Sequence, residues 1–139
     1  MTPFRLILDS SGLSIQEAAA YLDVRLDTVL SWSSGRRTPR RRIVHEVLAL
    51  IDRQGQAARE ILTVIERSVA GHDAPAEIEI GFAADDHEAR ALGWPAASAH
   101  AAVIRRLIEI APPDVRGRLR LVPRGATPAT AAAADSHQA

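Results

Sequence analysis

Helix start and stop signals follow one another so closely between Thr2 and Pro39 that this stretch can fold only as short helices. Thr2 followed by Pro3 opens the first, because proline at the first helical position gives up an N–H that has no partner there anyway. Gly12 closes it after about Ser11, with Phe4, Ile7 and Leu8 as its apolar residues. Ser14 and Glu17 then have the spacing of a capping box, each side chain serving the other's free backbone N–H. Leu13 just outside and Ala18 just inside suit a hydrophobic staple. Ile15, Ala18, Ala19 and Leu22 mark the buried face of the second helix. Asp23-Val24-Arg25 is a tight connection, and a third helix spans about Leu26 to Ser33 with Gly35 as its stop.

Thr38-Pro39 repeats the start signal for a fourth helix, expected to reach about Asp52 with Val44, Val47, Leu48 and Ile51 on one face. Gly55 is expected to interrupt it. A fifth helix, about Gln56 to Ala70, carries the stripe Ala58, Ile61, Leu62, Ile65 and Val69. After a linker from His72 to Ala76 the pattern changes. Glu77 to Phe82 alternates with period two and reads as a strand. A short helix near Asp85 to Leu92 and a longer one from about Ala96 to Ala111 follow, stopping at Pro112-Pro113. Arg118 to Val122 alternates again. Beyond Pro123 the chain is Ala, Thr, Pro and Gly without periodicity, the composition of a disordered tail. The expected fold is mostly α, an N-terminal helix-turn-helix bundle followed by a small α+β dimerisation segment. The expected divisions are 1–55, 56–123 and 124–139.

Glu77 and Glu79 on one strand complement Arg118 and Arg120 on the other, which favours pairing. The helices between them suit a right-handed crossover and hence a parallel pair. Two strands are too few to be stable alone, so a second copy of the chain is the expected neighbour. The alternative is a β-layer satisfied within one chain. Ile78, Ile80, Trp94, Val103, Leu107 and Ile110 are the candidate dimer interface.

Composition excludes several functions. There is no cysteine, so there is no disulfide framework, thiol chemistry or Cys-ligated zinc. No apolar run approaches a membrane span, and the N-terminus lacks the pattern of a signal peptide; a cytoplasmic location is expected. The five histidines show no ligand spacing. Asp85-Asp86-His87 reads better as a solvated helix start than as a metal site. No Gly-rich phosphate loop and no nucleophile–base–acid set is present. An enzyme, a metal, a cofactor or a small-molecule ligand is therefore not expected. Net charge is zero, from 17 basic and 17 acidic residues. Its distribution says more: no acid falls between Thr28 and His45, while five arginines fall between Arg36 and Arg42.

The second helix, the turn and the third helix together match the unit that presents a helix to the DNA major groove. Ala18, Ala19 and Ala20 are small enough for a close helix crossing. Leu22, Val24, Val29 and Trp32 can anchor it. The run from Gly12 to Val24, then Thr28-Val29, then Trp32-Ser33-Ser34-Gly35-Arg36-Arg37-Thr38-Pro39, resembles the Cro/C1-type (XRE) helix-turn-helix family over about residues 4–52. Ser33, Asp23 and Arg25 depart from that family's pattern, which usually has Glu, Gly and a capping Ser or Thr there. The whole chain, with Gly93-Trp94 before a helix, is also similar to the larger, two-part anti-CRISPR-associated (Aca) autorepressors. These resemblances imply a bacterial or phage-encoded, homodimeric repressor that binds double-stranded DNA at an inverted repeat. A DNA-binding antitoxin, whose C-terminal half grips a toxin, is the alternative. By motif position Leu26, Asp27, Thr28 and Ser31 would face base edges. Leu26 and Leu30 could instead pack on a neighbouring helix, and Asp27 could simply favour the helix start. Arg25, Arg36, Arg37, Arg40, Arg41 and Arg42 are the phosphate candidates. Arg40 to Arg42 sit in a helix's first turn, where the dipole disfavours cations, so an anionic partner would offset the cost.

Overall fold

Local capping sets the N-terminal helices where the sequence punctuates them. In the computed structural model, which describes residues 1–124, α1 runs Pro3–Ser11 with Thr2 Oγ1 accepting from the Arg5 N–H. Gly12 ends it in left-handed backbone at φ 83°. The capping box of α2 (Ile15–Leu22) is complete, Ser14 and Glu17 each holding the other's N–H. Asp23 closes that helix at φ 54°, a conformation that short polar side chains tolerate. α3 (Leu26–Ser34) ends at Gly35. The three helices bury Phe4, Leu8, Leu13, Ala18, Ala19, Leu22, Val29 and Trp32, with the Phe4 and Trp32 rings edge to face at 5.6 Å. Ala20, expected at the helix crossing, faces solvent instead.

The fourth helix departs from expectation in three ways. α4 (Arg41–Val69) starts at Arg41, with Arg40 still extended at ψ 152°; Thr38-Pro39 stays in the connection, and Pro39 lines a cleft beside Trp32. The helix also runs straight through Gly55, so the expected fifth helix is its second half. A helical glycine costs about 1 kcal/mol against alanine, and the complete burial of the apolar Leu50 and Ala58 on either side outweighs it. The boundary drawn between residues 55 and 56 therefore falls inside one helix. Finally, the buried line is Ile43, Val47, Leu50, Gln54, Ala58 and Ile65, rotated from the expected one. Val44 and Ile51 are half-buried and Leu48 is exposed.

Beyond α4 come β1 (Ile78–Phe82), α5 (Asp86–Ala91), α6 (Ala97–Ile110), α7 (Pro113–Arg116) and β2 (Leu119–Pro123). The strands pair in parallel, Ile78 opposite Leu119 and Glu79 opposite Arg120. Arg120 reaches both Glu79 at 3.4 Å and Glu77 at 3.8 Å, whereas Arg118 donates to the Pro75 carbonyl. The short α7 was not expected; Pro113, three residues beyond the end of α6, takes its first position, so the proline pair that was read as a stop also serves as a start. Ile78, Ile80 and Leu119 pack on a second core of Ala58, Ile65, Val103, Leu107, Ala111 and Val115. Val103 and Leu107 are 1% and 0% exposed. They have no surface left for a second copy, which corrects their placement at a dimer interface. The periodicity that singled them out is that of α6 packed on α4. Trp94 is half-buried between both cores and carries Arg53 over its ring at 4.9 Å. Ile110 remains exposed. The expected tail lies outside the described residues, save Arg124, as does His137.

A polar seam joins α6 to the N-terminal helices. Gln54 Nε2 donates to the Ser11 and Ala99 carbonyls. Ser98 Oγ donates to Glu17, adding a third bond to the capping box, and Arg106 donates to Ser10. Ala96 and Ala99 sit in the first core. No helix among the described residues is long and apolar enough to cross a membrane.

His100 is buried within the chain, its Nδ1 accepting from the Ala83 N–H at 2.9 Å. Burial, and secondarily the charge of Arg124, hold its pKa below the ordinary value. The unfolded chain therefore binds a proton before the folded one does. Stability from this site should be complete above about pH 6.5 and fall as the pH drops from there toward the folded pKa. His100→Asn keeps an acceptor near Ala83 but cannot titrate. Chemical denaturation across that range should show the native protein losing stability relative to the variant on acidification; a constant difference would refute this.

Candidate nucleic-acid interface

The inner side of α3 is fixed by Val29 and Trp32, both buried. That orientation leaves Leu26, Asp27 and Leu30 facing outward, with Leu26 43% and Leu30 39% exposed. Neither leucine is packed away on a neighbouring helix. Thr28 and Ser31 are half-buried at the edge of this face. Leu30 thus joins the expected four; its position one turn beyond Leu26 was the available signal.

The connection after Gly35 folds back onto the end of α3. The Arg37 N–H donates to the Ser31 carbonyl at 3.2 Å, and Arg36 Nη2 donates to Ser31 Oγ at 3.2 Å. Arg36 is thereby drawn alongside the outer face of α3, and Ser31 is an acceptor for it as well as a candidate base contact. All six candidate arginines, Arg25, Arg36, Arg37, Arg40, Arg41 and Arg42, are exposed. Of these six, only Arg42 has a carboxylate within reach among the described residues, Glu46 at 3.8 Å, an exposed pair of little strength.

Helix starts in this chain are of two kinds. α1, α2 and α5 are capped by Thr2, Ser14 and Asp85. α3 and α4 begin at Arg25 and Arg40 with no side-chain cap, and α6 and α7, at Ala96 and Pro112, also lack a side-chain cap from the N-cap residue. The first N–H groups of α3 and α4 remain available to an acceptor from outside, as phosphate oxygens are. α3, the connection after it and the start of α4 thus present exposed arginines, two helix starts without a side-chain cap and a helix face of short polar and apolar side chains. Among the described residues no cluster of His, Cys, Asp or Glu could hold a metal.

Comparison with family models, with curated proteins and with solved structures finds no match for this chain. The functional reading therefore rests on the geometry and on the motif in the sequence.

Proposed function

We propose that this chain is a sequence-specific DNA-binding transcriptional regulator of the Cro/C1 type, a homodimeric autorepressor similar to the two-part Aca proteins. The carrying observation is the outward face of α3 together with six exposed arginines, of which, among the described residues, only Arg42 has a carboxylate within ion-pair distance. Leu26, Asp27, Thr28, Leu30 and Ser31 would meet base edges in the major groove. Asp27, an acceptor while ionised, suits a cytosine amino group; the leucines suit thymine methyl groups. The arginines and the uncapped starts of α3 and α4 would hold the phosphates on either side. Nuclease protection of DNA upstream of the protein's own gene tests this. A protected inverted repeat is the expected result, and no enriched sequence in a selection from random duplexes would defeat the proposal.

Specificity should reside in α3. Asp27→Ala, Thr28→Ala or Ser31→Ala should each cost ~1–3 kcal/mol at particular base pairs and relax selection there. Binding measured on an operator and its single-base variants would reveal this. An equal loss on every sequence would remove these residues from base reading.

The second copy should join through the C-terminal half. Among the described residues each strand of the two-stranded sheet has an edge without a strand partner, and Ile110 of α6 and Leu121 of β2 are each 43% exposed. Ile110→Asp should shift light scattering of the full chain from dimer to monomer. A native chain already monomeric at tens of micromolar would overturn the homodimer.

A further inference from the structure

A cleft of about 310 Å³ opens between the start of α1 and the connection from α3 to α4. Ligand cavities typically span ~300–1,000 Å³, so this one suits a small molecule. Phe4, Ile7, Trp32, Pro39 and Val44 supply apolar walls, and Arg37 is the single ionisable residue of the lining. The Arg37 backbone is fixed by its bond to Ser31, while its guanidinium has no hydrogen bond or ion pair among the described residues. A second cleft, between α2 and α5, differs. It is lined by Glu17, Asp86 and Arg90, and both carboxylates are already engaged, by Ser14 with Ser98 and by the Ala97 N–H.

We propose that the cleft beside Arg37 binds a small organic carboxylate with an apolar body. The body lies among Phe4, Trp32 and Val44, and the carboxylate pairs with the Arg37 guanidinium. A neutral apolar ligand would leave that cation unused, and an inorganic anion would leave the walls wet; the combination selects an apolar acid. Guanidinium–carboxylate bonding is about twice as strong as bonding between neutral groups and can be bidentate. Resting on the DNA-binding reading, there is also a consequence for regulation. A carboxylate paired with Arg37 neutralises its charge and occupies donors that a DNA phosphate would use, so the acid acts as a releasing signal.

Titration of the full chain with benzoate, phenylacetate and hexanoate, followed by amide and indole NMR shifts, reads the cleft without DNA. Expected are saturable shifts centred on Phe4, Ile7, Trp32, Gly35 and Val44. Phenylacetamide in place of phenylacetate, or Arg37→Gln in place of the native chain, should weaken binding about tenfold or more. Arg37 is exposed, so that variant should fold normally. No saturable shift with any of the three acids overturns the site, as does equal affinity for the acid and its amide. Should the chain not bind DNA at all, the titration is unaffected. Should it bind, saturating acid should lower operator affinity, and an unchanged affinity overturns the releasing role.

Discussion

Gly12→Ala should lower the melting temperature by about 10 °C, the largest stability loss expected from adding a single methyl group to this chain. Two costs coincide there. Gly12 sits at φ 83°, where a side chain costs ~1–2 kcal/mol. A Cβ at that position would also run into the Ser98 carbonyl, with Ala102 Cβ only 3.2 Å away. Neither obstacle is the free end of a flexible side chain; both belong to α6, pinned by the Gln54 and Ser98 hydrogen bonds. Overpacking of this kind adds ~1–3 kcal/mol. For a domain of this size each kcal/mol moves the midpoint by roughly 3–4 °C. Two other glycines separate the contributions. Gly93 has φ 90° but open space around its Cβ position, so Gly93→Ala reports the backbone cost alone. Gly71 has neither constraint, so Gly71→Ala should change little. Thermal unfolding that ranks Gly12→Ala no worse than Gly93→Ala would mean α6 does not hold the end of α1 closely.

That seam also marks where sequence reading stopped. Capping is local, so Thr2, Gly12, Ser14, Glu17 and Gly35 were legible: each acts on backbone groups within a few residues. The parallel strand pair was legible from alternation and from a separation long enough for a crossover. α4 was not, because the cost of Gly55 is local while the gain that overrides it comes from α6, some 45 residues later at Ala99. The rotated face of α4 has the same origin. Val44, Leu48 and Ile51 are as apolar as Ile43, Val47 and Leu50, and only the position of the other helices chooses between them. Gln54 was passed over as an ordinary polar residue. Its full burial follows from two carbonyls that α1 and α6 bring to it. At the candidate site the face of α3 could be read from Val29 and Trp32, which define its inner side. The cleft beside Arg37 could not, since it joins residues from Thr2 to Val44 that become neighbours only when α1 meets the end of α3.

Affinity for DNA should fall by roughly 10³–10⁵ between 50 and 200 mM salt, if a dimer neutralises ~6–10 phosphates. The net charge of zero would suggest otherwise, but it is the wrong quantity. Screening confines each charge to about a Debye length, ~8 Å at physiological salt. What a phosphate meets is the local set, and Thr28 to His45 contains no acid. The exposure of Arg25, Arg36, Arg37, Arg40, Arg41 and Arg42 leaves them free to release counterions. Their contributions should not be equal. Arg42 already lies 3.8 Å from Glu46, so Arg42→Ala should flatten the salt slope less than Arg37→Ala or Arg40→Ala. Those two should weaken binding on every sequence alike and reduce the slope by up to about two units, one per subunit. Arg36 is a special case, because its bond to Ser31 sets it alongside the outer face of α3. Arg36→Ala should lower general affinity and also alter selection at the base pairs read by Ser31. Binding isotherms over a salt series, on operator and on random duplex, separate these effects. A slope that none of the four variants changes would leave the arginines as a solvated face and remove the electrostatic basis for DNA binding.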